Sequence, residues 1–316
     1  MRIALLSRDD RLYASRRLLE AGRARGHEVH LVSTLEGRVV VGGAPAQVSG
    51  AEEPWGGCHA LIPRVGSFLP RLGIALVRDF EERGGFSLNP AGAIIRSRDK
   101  LGALQRLDAA GLPVPRSVFA KDLTQIEDAI NAAGGAPVVI KPLEGSQGRG
   151  VMRADTVAGA LSIVEALIYR NLDVFLQEYV SSSSPSDLRL LVLGSQVRAT
   201  VRRRARPGEF RANLHRGGSM EAITPRADMV EIAIEAARAL GLRLAGVDIL
   251  ESERGPLVLE VNSSPGLEGI ERATGVDLAA AIIEFLESSP EARRRPAPAD
   301  ARGATSERSK SREKAP

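Results

Sequence analysis

Gly246-Val247-Asp248-Ile249-Leu250 and Pro256-Leu257-Val258-Leu259-Glu260-Val261-Asn262-Ser263-Ser264-Pro265-Gly266, separated by Ser252-Glu253-Arg254-Gly255, decide how this chain is read. Each apolar run has strand character and the segment between them has turn chemistry, so a hairpin is expected that brings Asp248 close to Glu260 and Asn262. Glu260 and Asn262 lie two apart on one strand, so they share a face while Val261 points the other way. Two carboxylates and an amide oxygen, with coordination positions left for phosphate oxygens and water, suit Mg²⁺ or Mn²⁺ carried on a nucleotide.

Composition narrows the surroundings of that hairpin. The chain has 316 residues and 43% hydrophobic content, enough for two domains with buried cores. Aromatic residues make up only 3%, which argues against base-stacking platforms for single-stranded nucleic acid. The single Cys58 cannot form an intramolecular disulfide, and neither CxxC nor HExxH occurs, so a reducing compartment is expected and a zinc site is not. Met1 to Ser7 is too short and too soon interrupted by Arg8, Asp9 and Asp10 to be a signal core, and no segment approaches a membrane span of about 20 apolar residues. A cytoplasmic protein without membrane contact is the expectation. The net charge of +4 sits entirely in the last residues, where from Ser288 onward eight basic residues face four acids, leaving 35 of each in the body. That Ala/Pro/Ser/Arg-rich tail, 289–316, should be disordered, serving either as a solubilising extension or as an electrostatic tether to the ribosome or RNA.

Along the chain, Arg2 to Ser7, a helix from Arg11 to Arg25 and a strand from Glu28 to Ser33 open a βαβ pattern. A hairpin around Arg38 to Val48, a strand at His59 to Val65 and a helix from Leu69 to Arg83 complete an α/β unit with a parallel sheet. It lacks GxGxxG, which disfavours a dinucleotide site. A helix near Asp99 to Ala110 follows. Thr124 to Glu127 has capping-box spacing, and Asp155 or Thr156 is placed to cap a helix ending at Tyr169. Strands are expected at Pro137 to Lys141, Val151 to Arg153, Val174 to Val180, Leu188 to Val192 and Gln196 to Arg204. Helices are expected from Thr224-Pro225 to Gly241 and from Val276 to Glu287.

Several further residues could carry chemistry. Lys141 ends a strand and leads into Glu144-Gly145-Ser146-Gln147-Gly148-Arg149-Gly150, which is either an ordinary hairpin turn or a loop that aims backbone N–H groups at a polyphosphate, though not a Walker A loop. Gln177, Glu178 and Tyr179 end a strand that either forms a plain sheet edge or reads an adenine edge and a ribose. Asp187 and Arg189 share a strand face. Arg202, Arg203, Arg204, Arg206, Arg211 and Arg216 form a basic patch that fits RNA or a clamp on phosphate oxygens, the polar Arg211 to Gly218 loop favouring the clamp. His215 within it reads as structural or substrate-facing before general base.

The ordered set Lys141, Gly145 to Gly150, Glu178, Asp187/Arg189, Arg211/Asn213, Asp248 and Glu260/Asn262 resembles the ATP-grasp superfamily. Leu6-Ser7-Arg8-Asp9, Asn89-Pro90, Arg98-Asp99-Lys100, Phe210 to Gly218 and Ser264-Pro265-Gly266-Leu267-Glu268-Gly269-Ile270-Glu271 narrow the resemblance to the RimK family over residues 1 to 288. The resemblance implies an α/β and α+β architecture: a pre-ATP-grasp α/β domain at 1–95, then ATP-grasp lobes at 96–183 and 184–288. It implies ligation of L-glutamate, with ATP and two Mg²⁺ or Mn²⁺ ions, to the C-terminus of a small-subunit ribosomal protein, and a homo-oligomer is expected. Nucleotide contacts would come from Lys141, Gly145, Ser146, Gln147, Gly148, Gln177, Glu178, Tyr179, Asp187, Arg211, Ala212 and Asn213. Catalytic guanidiniums would be Arg189, Arg203 and Arg216, and metal ligands Asp248, Glu260 and Asn262. An amino-group carrier protein or a coenzyme as acceptor, or a non-catalytic nucleotide-responsive ribosome-binding role, are the alternatives. Pro142, Arg149 and the tail are where departures from close relatives are expected.

Overall fold

The computed structural model describes residues 1–39, 54–66, 69–119, 121–143, 148–183, 185–211 and 217–294. The expected hairpin near residues 38–48 lies outside them from residue 40 on, and the expected disordered tail at 289–316 lies outside them from residue 295 on, while its first residues are ordered instead, with a 3-10 turn at Glu291–Arg293 and Ala292 buried. Packing divides the chain into two compact units, one comprising Met1–Ala91 with the segment from Ala279 onward and the other Gly92–Leu278.

In the first unit β1 (Arg2–Ser7), α1 (Tyr13–Ala24), β2 (Glu28–Ser33), β3 (Ala60–Pro63), α2 (Pro70–Glu82) and β4 (Phe86–Ser87) follow one another. The strands form a parallel sheet of order β2-β1-β3-β4. Ile3 to Leu6 and Ala60 to Ile62 are fully buried, as uninterrupted apolar runs in a parallel sheet require.

The second unit contains α3 (Ala91–Arg98) and α4 (Lys100–Ala109), then β5 (Ser117–Phe119), α5 (Ile126–Ala132), β6 (Val138–Pro142), β7 (Met152–Ala154), α6 (Val157–Tyr169) and β8 (Val174–Glu178). These four strands form an antiparallel sheet of order β5-β8-β6-β7. Val138, Ile140, Val174 and Leu176 pack from one face onto Ile130, Ala160 and Val164 of α5 and α6. Strand alternation therefore leaves Val139, Lys141, Phe175 and Gln177 on the opposite face. Asp99 caps α4 by accepting from Gly102 N–H at 2.9 Å, and Thr156 caps α6 through Gly159 N–H at 3.1 Å. The expected capping box at Thr124 does not form. Thr124 donates from its hydroxyl and its N–H to Asp122, and α5 starts after Gln125 with no side-chain cap.

A five-stranded antiparallel sheet follows, built from β9 (Ser186–Leu193), β10 (Gln196–Arg204), β11 (Ser219–Ala222), then α7 (Ala227–Leu240), β12 (Leu244–Ser252) and β13 (Gly255–Asn262), in the order β11-β10-β9-β12-β13. Gly241, in the left-handed region at φ 74°, closes α7 by donating to Ala237 and Arg238 carbonyls. Leu188, Leu190 and Val192 of β9 and Ala245, Val247 and Ile249 of β12 join Met229, Ala233, Ala236 and Leu240 of α7 in one core. Asp187, Arg189 and Asp248 consequently fall on the other face. α8 (Glu268–Thr274) ends this unit.

Two one-residue bulges adjust the pairing. The β9–β10 register shifts between Val197 and Ala199 and then sets Arg203 opposite Asp187. The β12–β13 register shifts after Asp248, so Leu259 is the extra residue and Glu260 stands opposite Asp248. Val258 and Val261, three apart, both reach the α7 core, a spacing that strict alternation forbids and the bulge permits.

The chain returns to the first unit with α9 (Leu278–Ser288). Arg25, just past α1, holds Glu287 through two bonds of 2.9 and 2.7 Å and reaches Glu284 at 3.1 Å, and His27 bonds Glu287 at 2.7 Å. Arg25 first, then His27, keeps the Glu287 carboxyl low, at about 2. No helix among the described residues is long and apolar enough to cross a membrane.

Candidate active site

One pocket in the second unit draws on both of its sheets and on α4. Lys141, Gly148, Gln177, Glu178, Tyr179, Asp187, Arg203, Arg211, Asp248 and Glu260 line it, together with an apolar set that includes Leu104, Val139, Phe175 and Leu259. Arg189 and Asn262 touch its carboxylates. Gly145, Ser146, Gln147, Ala212, Asn213, His215 and Arg216 lie outside the described residues.

At the centre the registers convert sequence spacing into ion pairs. Arg203 grips Asp187 with Nε–Oδ1 and Nη2–Oδ2 contacts of 2.5 and 2.8 Å and reaches Asp248 at 2.9 Å. Arg189 forks onto Asp248 with two bonds of 2.7 Å. Both arginines are thus bidentate on a carboxylate, the geometry a planar guanidinium favours. Burial pushes the Asp187 carboxyl up despite Arg203. Burial acts on Asp248 too, but Arg189 and Arg203 outweigh it and hold that carboxyl below its ordinary value. Arg203 is held protonated by both aspartates against the burial that disfavours its charge.

Glu260 is pushed up, first by burial and then by the Asp248 charge, with Arg189 and Lys141 opposing. With its amide turned to suit both neighbours, Asn262 donates to Glu260 Oε1 at 3.0 Å and accepts from Arg189 at 3.3 Å. Across β12, Gly246 makes the approach of the Ser263-to-Gly266 turn possible, since a Cβ there would come within 2.9 Å of Pro265 Cβ. Among the described residues no three His, Cys, Asp or Glu side chains converge as a metal cluster. The candidate set is two opposed carboxylates and an amide, an all-oxygen donor set that fits a hard divalent cation.

Lys141 Nζ donates to Gln177 Oε1 at 2.5 Å and lies 5.9 Å from the Phe175 ring centre. Burial lowers its pKa to about 8, with Glu260 resisting. Glu178 accepts from Arg116 N–H at 3.0 Å and from the Arg254 guanidinium in the β12–β13 turn. Tyr179 packs edge-on against Phe210 and under Arg153, whose guanidinium lies 5.0 Å from its ring centre. Arg211 is fixed by Glu209 at 2.8 Å and donates to the carbonyls of Gly148 and Val151 at 3.2 and 2.9 Å, joining the shoulder of the glycine-rich loop to the segment after β10.

Sequence reasoning assigned no role to Lys100, which lines the pocket and donates to the carbonyls of Pro142 and Leu143 at 2.9 and 3.0 Å. A lysine just inside a helix N-terminus carries no periodic signal, and although Arg98-Asp99-Lys100 helps carry the family resemblance, its place in the pocket shows only in the fold. Arg254 was likewise read only as a turn residue. Cys58 lies elsewhere, buried in the first unit with its thiol pushed up to about 11, as expected of a bystander.

Two sheets that both line a basic, carboxylate-bearing pocket, in a chain led by a parallel α/β unit, define an ATP-grasp ligase. A model of the RimK-like ATP-grasp domain matches residues 97–286 and one of the RimK pre-ATP-grasp domain matches residues 1–94. The chain belongs to the RimK family and is an ATP-dependent ligase. It is 48% identical over 291 residues, 92% of its length and 96% of the relative's, to a probable alpha-L-glutamate ligase of Pseudomonas paraeruginosa. It is 48% identical over 287 residues, 91% and 95% of the two chains, to one of Alcanivorax borkumensis. A RimK domain ATP-grasp protein of Sphaerobacter thermophilus superposes with a TM-score of 0.71 at 27% identity, covering 90% of this chain and 99% of that one. The ATP-grasp ligase PsnB, complexed with a precursor variant, Mg and ADP, shares the fold with a TM-score of 0.70 at 24% identity over 90% and 97% of the chains.

Proposed function

We propose that this protein joins the amine of L-glutamate to a carboxylate, that of the C-terminus of a small-subunit ribosomal protein, at the expense of ATP. The observation that carries the reading is the convergence of Lys141, Arg189, Arg203 and the carboxylates Asp187, Asp248 and Glu260 at one pocket. The relatives named as probable alpha-L-glutamate ligases support glutamate as donor. The working division is a pre-ATP-grasp domain at 1–95 and lobes at 96–183 and 184–288.

A carboxylate does not condense with an amine at neutral pH because its oxygen is a poor leaving group. In the proposed sequence the acceptor carboxylate oxygen attacks the γ-phosphorus of ATP and ADP leaves. The amine of glutamate then attacks the acyl carbon, loses a proton and expels inorganic phosphate. No enzyme nucleophile is needed, and the chain's own residues supply position and charge. Leu104, Val139, Phe175 and Leu259 offer the adenine an apolar slot, with Glu178 and Tyr179 beside it and Asp187 on the ribose side. Lys141 faces the phosphates, where Gly145, Ser146, Gln147, Gly148, Arg211, Ala212 and Asn213 would add further contacts. Arg189, Arg203 and Arg216 offset the negative charge of two anionic reactants. Asp248, Glu260 and Asn262 would hold two divalent cations, Mg²⁺ or Mn²⁺, which when bound reduce repulsion between triphosphate and carboxylate.

The test of donor and acceptor is intact-mass spectrometry of purified small-subunit ribosomal proteins incubated with the enzyme, ATP, Mg²⁺ and L-glutamate. A ladder of glutamyl additions on one protein is expected. Glutamate-dependent ADP release with no mass shift would keep the ligase and reject the ribosomal acceptor.

A phosphate-facing Lys141 also sets a pH dependence. Its ammonium is the binding form, so nucleotide affinity should be flat below about 8 and fall as pH rises beyond it, by at most about tenfold per pH unit. Calorimetric titration with ADP from pH 6.5 to 9.5 measures this, and Lys141→Arg should flatten the curve. A wild-type affinity that rises above pH 8 would overturn the assignment.

A further inference from the structure

We propose that Gln177 and Ser117 form a polar relay that positions the Lys141 ammonium for the nucleotide's phosphates, and that Gln177 is a positioning residue and not an adenosine contact. This rests on the phosphate role of Lys141 given above. The relay spans three strands of one sheet. Ser117 of β5 pairs directly with Gln177 of β8, and Lys141 of β6 lies diagonally two residues beyond Val139, the register partner of Gln177. All three side chains share the face opposite the α5–α6 core.

The chain of donors has only one possible direction. The Pro115 carbonyl can only accept, so the Ser117 hydroxyl, 2.9 Å away, must donate to it. With its proton spent, the Ser117 oxygen accepts from the Gln177 amide nitrogen at 2.8 Å. That fixes which end of the amide faces the pocket, and the carbonyl oxygen is presented to Lys141 Nζ at 2.5 Å. A glutamine without this anchor could turn its NH₂ toward the ammonium, donor against donor. Gln177 is 2% exposed, so water does not replace what it supplies. Both polar ends of its side chain already bond protein partners, and the oxygen end is turned to Lys141. The amide also leaves the ammonium its charge, and two of its three donors stay available to phosphate oxygens. A carboxylate at the same place would neutralise it.

The experiment measures binding of ADP and of adenosine, by calorimetry at fixed Mg²⁺, to the full-length protein and to Gln177→Met, Ser117→Ala, the double variant and Lys141→Met, with thermal melting of each. Gln177→Met is expected to weaken ADP about tenfold and adenosine less than twofold. Ser117→Ala should act in the same direction by about threefold, and should add nothing in the Gln177→Met background, since both act through one relay. Gln177→Met weakening ADP and adenosine equally would make Gln177 an adenosine contact or a merely structural residue, and no change in either would remove it from the site; both results overturn the proposal. Lys141→Met separates the layers. If it leaves ADP binding intact, the phosphate role of Lys141 fails, whereas a loss in Lys141→Met without one in Gln177→Met rejects the relay alone.

Discussion

Glu260→Gln is expected to lower ligation by about a thousandfold or more at saturating Mg²⁺ while the protein melts near the wild-type temperature. The substitution preserves shape and keeps an oxygen for the Asn262 amide, which donates to Oε1 at 3.0 Å. What it removes is the charge facing Asp248 across the hairpin, and metal-assisted charge stabilisation of several kcal/mol corresponds to about three orders of magnitude in rate. Stability should not suffer, because burial and the Asp248 charge already push the Glu260 carboxyl up. A neutral group there is the easier one to bury. Steady-state ADP release across a Mg²⁺ titration gives the answer, and turnover within tenfold of wild type would take Glu260 out of the metal set.

Arg203→Met should have its largest effect on the fold itself. The guanidinium is 5% exposed and touches both Asp187 and Asp248, so its loss leaves the buried Asp187 carboxylate without its bonded guanidinium and Asp248 with Arg189 alone. Breaking a buried pair from one side costs about 3–5 kcal/mol. The sign of the pH dependence follows. In the wild type Asp248 is held below its ordinary pKa and contributes stability that is lost as pH falls through that lowered value. Without Arg203 the Asp187 carboxyl, already raised by burial, rises further, so the variant's deficit should shrink as pH falls from 7 toward 5. Denaturant unfolding at the two pH values tests this; a deficit under 1 kcal/mol, or one that grows on acidification, would show that the aspartates do not depend on Arg203.

The hairpin was legible because its chemistry repeats with period two, with Glu260 and Asn262 on one face and Val261 on the other. The α7 boundary was legible because Gly241 ends it. The partners of the charged residues were not. A two-residue Gly194-Ser195 turn with unbroken pairing would set Arg202 opposite Asp187, and the bulge between Val197 and Ala199 moves Arg203 there instead. An arginine run looks alike whichever member is inside. The same holds for Leu259, which is as apolar as Leu257 and Val258 before it and gives no sign of being the inserted residue. Thr124 had the spacing of a cap and lost its role to a nearer partner, Asp122, which competes for the same hydroxyl. Lys100 was silent because its partners are main-chain carbonyls 42 and 43 residues away.

The bulge at Leu259 makes the distance from the Glu253-Arg254 turn to Glu260 a matter of counting. Strand β13 can change its apolar side chains by small steps and keep its phase. Losing the bulge at unchanged length would instead restore strict alternation and set Leu259, a hydrocarbon, opposite Asp248 in place of its carboxylate partner. The extra residue, more than composition, is what places Glu260 along that strand, and a library built on this scaffold should vary letters there while keeping the bulge.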